Sequence, residues 1–194
     1  MVLRYISVDE YLAAEVVSEA KHEYVNGGAH PAAGGRNAHN LIATNFLGAL
    51  HVRLRGRTAR VYNSDTKIRV NLVSGQRFYY PDGSVICRPN PQTDSFQDRP
   101  SVIAEVLSRK TRRIDEGEKK DAYLTIPSLS AYLLIEQEIA AVTVYRRAED
   151  GFRREVHSGL DATIPLSEVE TELPLAELYE SVELLPEPES DPAA

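Results

Sequence analysis

The order of elements in this 194-residue chain predicts an α/β or α+β fold, a sheet flanked by helices. Three observations carry that reading. Ile42, Phe46, Leu50 and Leu54 recur at helical spacing and mark an amphipathic helix over about 39–54. The run "SVIAEVLS", residues 101–108, reads as an apolar strand, and a helix follows over about 112–125 until Pro127 stops it. "AYLLIE", "AAVTVYRR" and "FRREVH" then give three more strands, with "EDG" at 149–151 turning the last two.

The remaining elements follow in order. Ser7 to Glu10, "SVDE", matches a capping box and starts a short helix. "HEYVNGGAH" is a strand entering a turn at Asn26-Gly27, and Pro31 with Gly34-Gly35 keeps the return strand short. Gly56 breaks the long helix. Residues 59–87 read as successive strands, with turn chemistry at Ser74-Gly75 and a break from Pro81 to Gly83. Residues 88–100, rich in Pro and polar groups, read as a loop, and "LPLAELYE" as a short terminal helix. The expected organisation is a single domain over 1–182 with a disordered, acidic and Pro-rich tail over 183–194.

Composition narrows the function classes. Cys87 is the lone cysteine, so an intrachain disulfide and a Cys-based zinc site are both excluded, and Cys87 reads as a small core residue. The start "MVLRYISVDEYLAA" is too polar for a signal peptide, and no apolar run approaches membrane-spanning length. The expected setting is the cytoplasm, with no membrane partner. A net charge of -7 argues against coating nucleic acid by bulk electrostatics. It is compatible with carboxylates that hold a divalent ion beside a local basic groove.

Glu105 is the anomaly. It interrupts the apolar run of Val102, Ile103, Ala104, Val106 and Leu107. A buried carboxylate needs a cation or several donors, and the alternative is a solvent-facing strand end. Asp82 in "YYPDGSV" sits at a strand break, where Pro81 stops one strand and Gly83 frees the backbone. Two such acids can converge on one hard cation such as magnesium; taken alone, Asp82 reads as a turn residue bonding its own backbone. A lysine is the remaining part. At about 100° per residue, Lys119 shares the side of Ala122 and Tyr123, toward the sheet. Lys120 turns toward Glu116, its expected surface partner at i−4. The competing reading has both lysines pairing with Asp115 and Glu116 on a solvated helix.

"PD" at Pro81-Asp82, "EVLS" from Glu105 and "GEKKDAY" from Gly117 together resemble the PD-(D/E)XK nuclease superfamily. Within it the chain is similar to the Uma-type family of restriction-endonuclease-like proteins, over roughly residues 5–180. "SVDEYLA", "KHEYVNGG", "AHN", "SDTKIRV", "IPSLSAYLLIEQ" and "LPLAELY" support the match by their order and spacing. The resemblance implies an α/β, restriction-endonuclease-like core with a central mixed β-sheet flanked by helices. It implies Asp82 and Glu105 as ligands of Mg2+ or Mn2+, and DNA as the partner of a homodimer. The superfamily's usual Glu-x-Lys spacing falls on Leu107 here, and the Uma-type pattern instead matches Lys119 on the following helix. Glu23 and His39 match further family positions.

Arg53, Arg55, Arg57 and Arg60 form a basic cluster after the long helix. They are candidates for phosphate contact or for a solvated helix end that complements the dipole. Asp65 and Lys67 share a strand face and read as a pair. The leading expectation is a metal-dependent DNA endonuclease with Asp82, Glu105 and Lys119 as its catalytic residues. Gly83 and Ser84 stand where the family favours β-branched residues, which motivates a second reading: a nuclease-fold module that binds nucleic acid or regulates without cutting. A sheet scaffold with no nucleic-acid role is the third.

Overall fold

The computed structural model describes residues 5–32 and 34–185. Helix α1 (Val8–Val16) begins at the capping box: Ser7 Oγ accepts from the Glu10 N–H at 3.2 Å, and Glu10 accepts from the Ser7 N–H at 2.8 Å. Strands β1 (His22–Val25) and β2 (Gly28–Pro31) form a hairpin. Its turn places Asn26 and Gly27 at φ 50° and 84°, the left-handed pair that a two-residue hairpin loop demands.

Helix α2 (Asn37–Arg53) buries Ile42, Phe46 and Leu50 along one stripe. It is followed by β3 (Arg60–Asn63), β4 (Lys67–Leu72), β5 (Gly75–Tyr79), β6 (Gly83–Ile86), β7 (Phe96–Gln97) and β8 (Pro100–Val106). Next comes one continuous helical stretch: α3 (Arg112–Ile114), a π-helical turn (Asp115–Lys119) and α4 (Lys120–Tyr123). Strands β9 (Ala131–Ile135), β10 (Ala141–Ala148) and β11 (Gly151–Ser158) then lead to β12 (Thr163–Leu166), β13 (Thr171–Pro174) and α5 (Leu175–Leu178).

The central sheet is mixed, in the order β11-β10-β9-β8-β6-β3. β8 and β9 are parallel and their crossover is the helical stretch; the other pairs are antiparallel. β8 is buried along its whole length, which is why it reads as a continuous apolar run. Alternation divides it between two cores. Val102, Ala104 and Val106 pack with Ile42, Phe46 and Leu50 of α2 and with Leu173 and Leu178. Ile103 and Leu107 pack on the other face with Tyr123, Tyr132, Ile68 and Tyr79. Burying each of these large side chains stabilises the fold by roughly 1.5–3 kcal/mol.

Ile68 and Tyr79 belong to a second sheet, β2-β1-β5-β4-β7, which the sequence reading did not separate from the first. Its β7 lies within the stretch read as loop. The Asp65 and Lys67 pairing is also corrected. Asp65 lies in the exposed turn before β4 and bonds Lys21 at 3.0 Å, whereas Lys67 is buried and donates to the Tyr80 hydroxyl at 3.2 Å. Cys87 is half-buried at the edge of the α2 core. Val182 and Leu184 still pack on that core, and the Leu185 N–H donates to the Glu138 carbonyl at 2.8 Å. Residues 186–194 of the expected tail lie outside the described residues.

Candidate active site

The site lies where β6 begins and β8 ends. Gly83 pairs with Ala104, so the strand register brings Asp82 alongside Glu105 and Val106. The Val106 N–H donates to Asp82 Oδ2 at 2.7 Å, and His39 Nε2 lies 3.2 Å from the same oxygen. Glycine at 83 is required by packing: a Cβ there would sit 2.7 Å from the Phe46 ring. The departure from a β-branched residue therefore accompanies a large phenylalanine on α2. The Ser84 hydroxyl, by contrast, is buried with no hydrogen-bond partner among the described residues.

Glu105 falls on the face of β8 opposite α2, beneath the helical stretch. It is 3% exposed, and what waits for it is Lys119. The Lys119 ammonium lies 3.2 Å from Glu105 Oε1, 2.9 Å from Glu23 Oε1 and 3.6 Å from Asp115 Oδ1. The Tyr123 hydroxyl donates to Glu105 Oε1 at 3.3 Å, and the Tyr80 N–H donates to Glu23 at 3.2 Å. Glu23, Tyr80, Glu105, Asp115 and Lys119, with His39, Asp82 and Thr111, line one cavity of about 120 Å³. Burial raises the Glu105 carboxyl well above its ordinary value, with Asp115, Asp82 and Glu23 adding to the rise and Lys119 opposing it. Burial also raises Asp115. Burial alone would lower the Lys119 ammonium, but Glu105, Glu23 and Asp115 overcome it and hold it above its usual range. His39 is likewise raised: burial opposes its charge, and the bond to Asp82 outweighs that.

The donor chemistry fits a hard cation. Lys119 and Tyr123 both address Oε1 of Glu105, and His39 and Val106 both address Oδ2 of Asp82. The other oxygen of each carboxylate accepts no hydrogen bond among the described residues. No group of three or more His, Cys, Asp or Glu side chains is gathered as a metal centre among them either. Magnesium often takes only one or two carboxylates, completing its shell with water and phosphate oxygens.

Residues 8–176 match the family model described as "Uma2: Putative restriction endonuclease". The chain belongs to the Uma2 family. Two relatives from Synechocystis sp., each named as an uncharacterized protein, share its sequence. One, slr1290, is 33% identical over 147 residues, covering 75% of this chain and 76% of its own. The other, sll1609, is 33% identical over 150 residues, covering 76% and 84%. A crystal structure titled as a "putative nuclease belonging to DUF820" from Anabaena variabilis superposes with a TM-score of 0.72 at 21% identity, covering 90% of this chain and 97% of that one. The fold is thus the PD-(D/E)XK-like nuclease fold, an α/β core with a central mixed sheet between helices. Among the described residues no helix is long and apolar enough to cross a membrane.

In this Uma2 chain the structure brings Asp82, Glu105, Lys119, Glu23 and His39 into one cavity. It does not bring the arginines there. Arg53 pairs with Glu177 at 2.5 Å, Arg57 pairs with Glu170 at 3.2 Å, and Arg60 donates to the carbonyls of Arg57, Thr58 and Ala59. Arg55 makes no ion pair among the described residues. From His39 to Arg53 is fourteen residues of α2, roughly 21 Å at ~1.5 Å per residue.

Lys120 also differs from expectation. It pairs with Asp121 at 3.5 Å and lies over the Tyr145 ring, while Glu116 pairs with Arg112. The residue that sequence reasoning missed is Asp115, 2% exposed and set inward by the π turn together with Lys119. Its signal was the i,i+4 spacing to Lys119, which puts both on one helix face. Tyr123 was visible only as a neighbour on the Lys119 side.

Proposed function

We propose that this Uma2 protein is a metal-dependent phosphodiesterase that cuts DNA, with Asp82 and Glu105 holding Mg2+ or Mn2+ and Lys119 acting beside them. The observation that carries the reading is Lys119 itself. It reaches Glu105 from the crossover helix and stands in for the lysine that the usual Glu-x-Lys spacing would place at Leu107. When bound, the ion supplies Lewis-acid stabilisation of charge on the phosphate and a more acidic water. Val106 and His39 fix Asp82 by one oxygen, and Tyr123 with Lys119 fixes Glu105 by one oxygen, so both carboxylates are oriented before substrate arrives. Lys119 offsets the negative charge that grows on the phosphate in the transition state. Glu105, raised by burial, ionises more readily once a cation lies beside it. A homodimer, in which two sites meet the two strands of a duplex, completes the reading.

One observation favours a nuclease-fold module that binds without cutting: among the described residues no group of three or more His, Cys, Asp or Glu side chains is placed to hold a metal ion together. A plasmid-nicking assay with and without manganese separates the two, run beside calorimetric titration of manganese into the protein. The endonuclease reading expects manganese-dependent nicking that Asp82→Asn and Glu105→Gln both abolish. An unmodified protein that neither binds manganese nor nicks DNA overturns the endonuclease reading, and DNA binding then separates the binding module from a bare scaffold.

A further inference from the structure

A larger cavity, of about 380 Å³, adjoins the acidic one. Its charged lining is Arg36, Arg109, Lys110, Arg112, Glu136 and Glu138. The two cavities share a wall. Val106 lines one and Leu107 the other, and Thr111 lines one and Ser108 the other. That wall is braced: the Ser108 and Thr111 hydroxyls lie 3.0 Å apart, and the Thr111 N–H donates to Ser108 Oγ at 3.1 Å.

The cations of this lining differ in how far they are already paired. Arg112 is held by both oxygens of Glu136, at 2.9 and 2.5 Å, and by Glu116. Arg109 has a single 3.3 Å contact to Glu138, and its side chain is 91% exposed. Arg36 and Lys110 make no ion pair among the described residues. A chain of net charge -7 thus keeps three weakly committed or uncommitted cations around the larger cavity.

We infer that this basic cavity binds the backbone phosphates of the nucleic acid strand next to the phosphodiester held at Asp82 and Glu105. The inference rests on the phosphodiesterase reading and adds where the strand runs. Its volume lies within the ~300–1,000 Å³ of small-ligand sites, room for a nucleotide unit. The acids alone would repel a polyanion, and Arg36, Arg109 and Lys110 supply the opposing charge. They can make the sequence-independent contacts that position a strand.

The test uses the full chain and a fluorescein-labelled DNA duplex, with anisotropy read across a salt series in metal-free buffer and cleavage read with manganese. Arg36→Ala and Lys110→Ala should each lower the slope of log affinity against log salt by about 1. They should raise KM with little change in kcat, the sign of lost uniform binding. Arg153→Ala, which removes an exposed cation on β11, should move neither. If the variant carrying both Arg36→Ala and Lys110→Ala keeps the parent slope and KM, or if the parent does not bind the duplex, the inference is overturned. If the slope falls while the parent never cleaves, the groove stands and the nuclease reading falls.

Discussion

The two ends of α2 treat charge in opposite ways. At its N-terminal end, His39 meets Asp82 beside a cavity where Glu23, Glu105 and Asp115 surround one buried ammonium. At its C-terminal end, Arg53 and Arg57 meet Glu177 and Glu170 from the C-terminal part of the chain. The near end concentrates like charge in a buried space, an arrangement that costs stability. The far end pairs Arg53 and Arg57 with acids and uses them to dock α5 and the residues around β13. A basic cluster in sequence does not by itself say which of its cations the fold pairs; here Arg53 and Arg57 are paired and Arg55 is not, among the described residues.

The strongest way to break this contrast is Lys119→Ala. On the phosphodiesterase reading, cleavage should fall by about 10²–10³, the scale for losing one preorganised charge at a transition state. The variant should also lose stability. Removing the lysine leaves Glu105 and Asp115 buried without their cation, and breaking a buried pair typically costs about 3–5 kcal/mol. Both carboxyls are raised in the folded state, so the folded protein takes up protons on them before the unfolded chain does. Their stabilising contribution is present at low pH and lost as pH rises through the folded values. The variant's stability deficit should accordingly shrink below neutral pH, as urea midpoints at several pH values would show. A deficit that grows on acidification would contradict the burial of these acids.

The next effect concerns the packing that positions Asp82. Gly83→Val forces a side chain against the Phe46 ring and should cost about 1–3 kcal/mol, the usual scale of overpacking. Phe46→Leu in the same chain should recover part of that loss. Thermal melts of the two single variants and the double variant give the coupling. Strict additivity would mean that the glycine is not there to admit the phenylalanine.

The far end gives a smaller effect. Arg55→Ala with Arg57→Ala should leave the salt dependence of DNA binding unchanged and lower stability by no more than ~1 kcal/mol, as for exposed ion pairs. A slope reduced by about 1 per arginine would return this end of α2 to the nucleic-acid interface.

Much of the near end was legible from local sequence. Glu105 was conspicuous because β8 is buried on both faces, so any acid in it stands out against apolar neighbours. Asp82 was marked by Pro81 and Gly83, and the hairpin at Asn26-Gly27 by its φ requirements. What stayed hidden depends on long-range pairing. The second sheet joins β1 to β5 through the single pair Tyr24 and Phe78, across all of α2 and three strands. Its β7 has two residues and no pattern to read. Asp115 looked like a surface partner because a π turn leaves no plain signature in composition. The fate of the arginines was equally invisible, since Glu170 and Glu177 lie more than a hundred residues away.

The smallest effect discriminates most finely within the near end. Lys119 and Lys120 are adjacent, identical in type and part of one helical stretch, yet only Lys119 enters the cavity. Lys120 is about a quarter exposed; its ammonium meets the exposed Asp121 at 3.5 Å and lies 5.5 Å from the Tyr145 ring centroid. A pair of that kind contributes roughly 0–1 kcal/mol, and a cation over an aromatic ring at a partly exposed site adds ~0.5–1 kcal/mol. Lys120→Ala should therefore lower the melting temperature slightly and leave kcat and KM for DNA cleavage at the parent values. Lys120→Met, which keeps the stem over Tyr145, should restore part of the stability by retaining the apolar contact. If Lys120→Ala removed cleavage and Lys119→Ala spared it, the helix would have to be rotated about its axis, and the ion pairs of Lys119 with Glu23, Glu105 and Asp115 would not describe the working site.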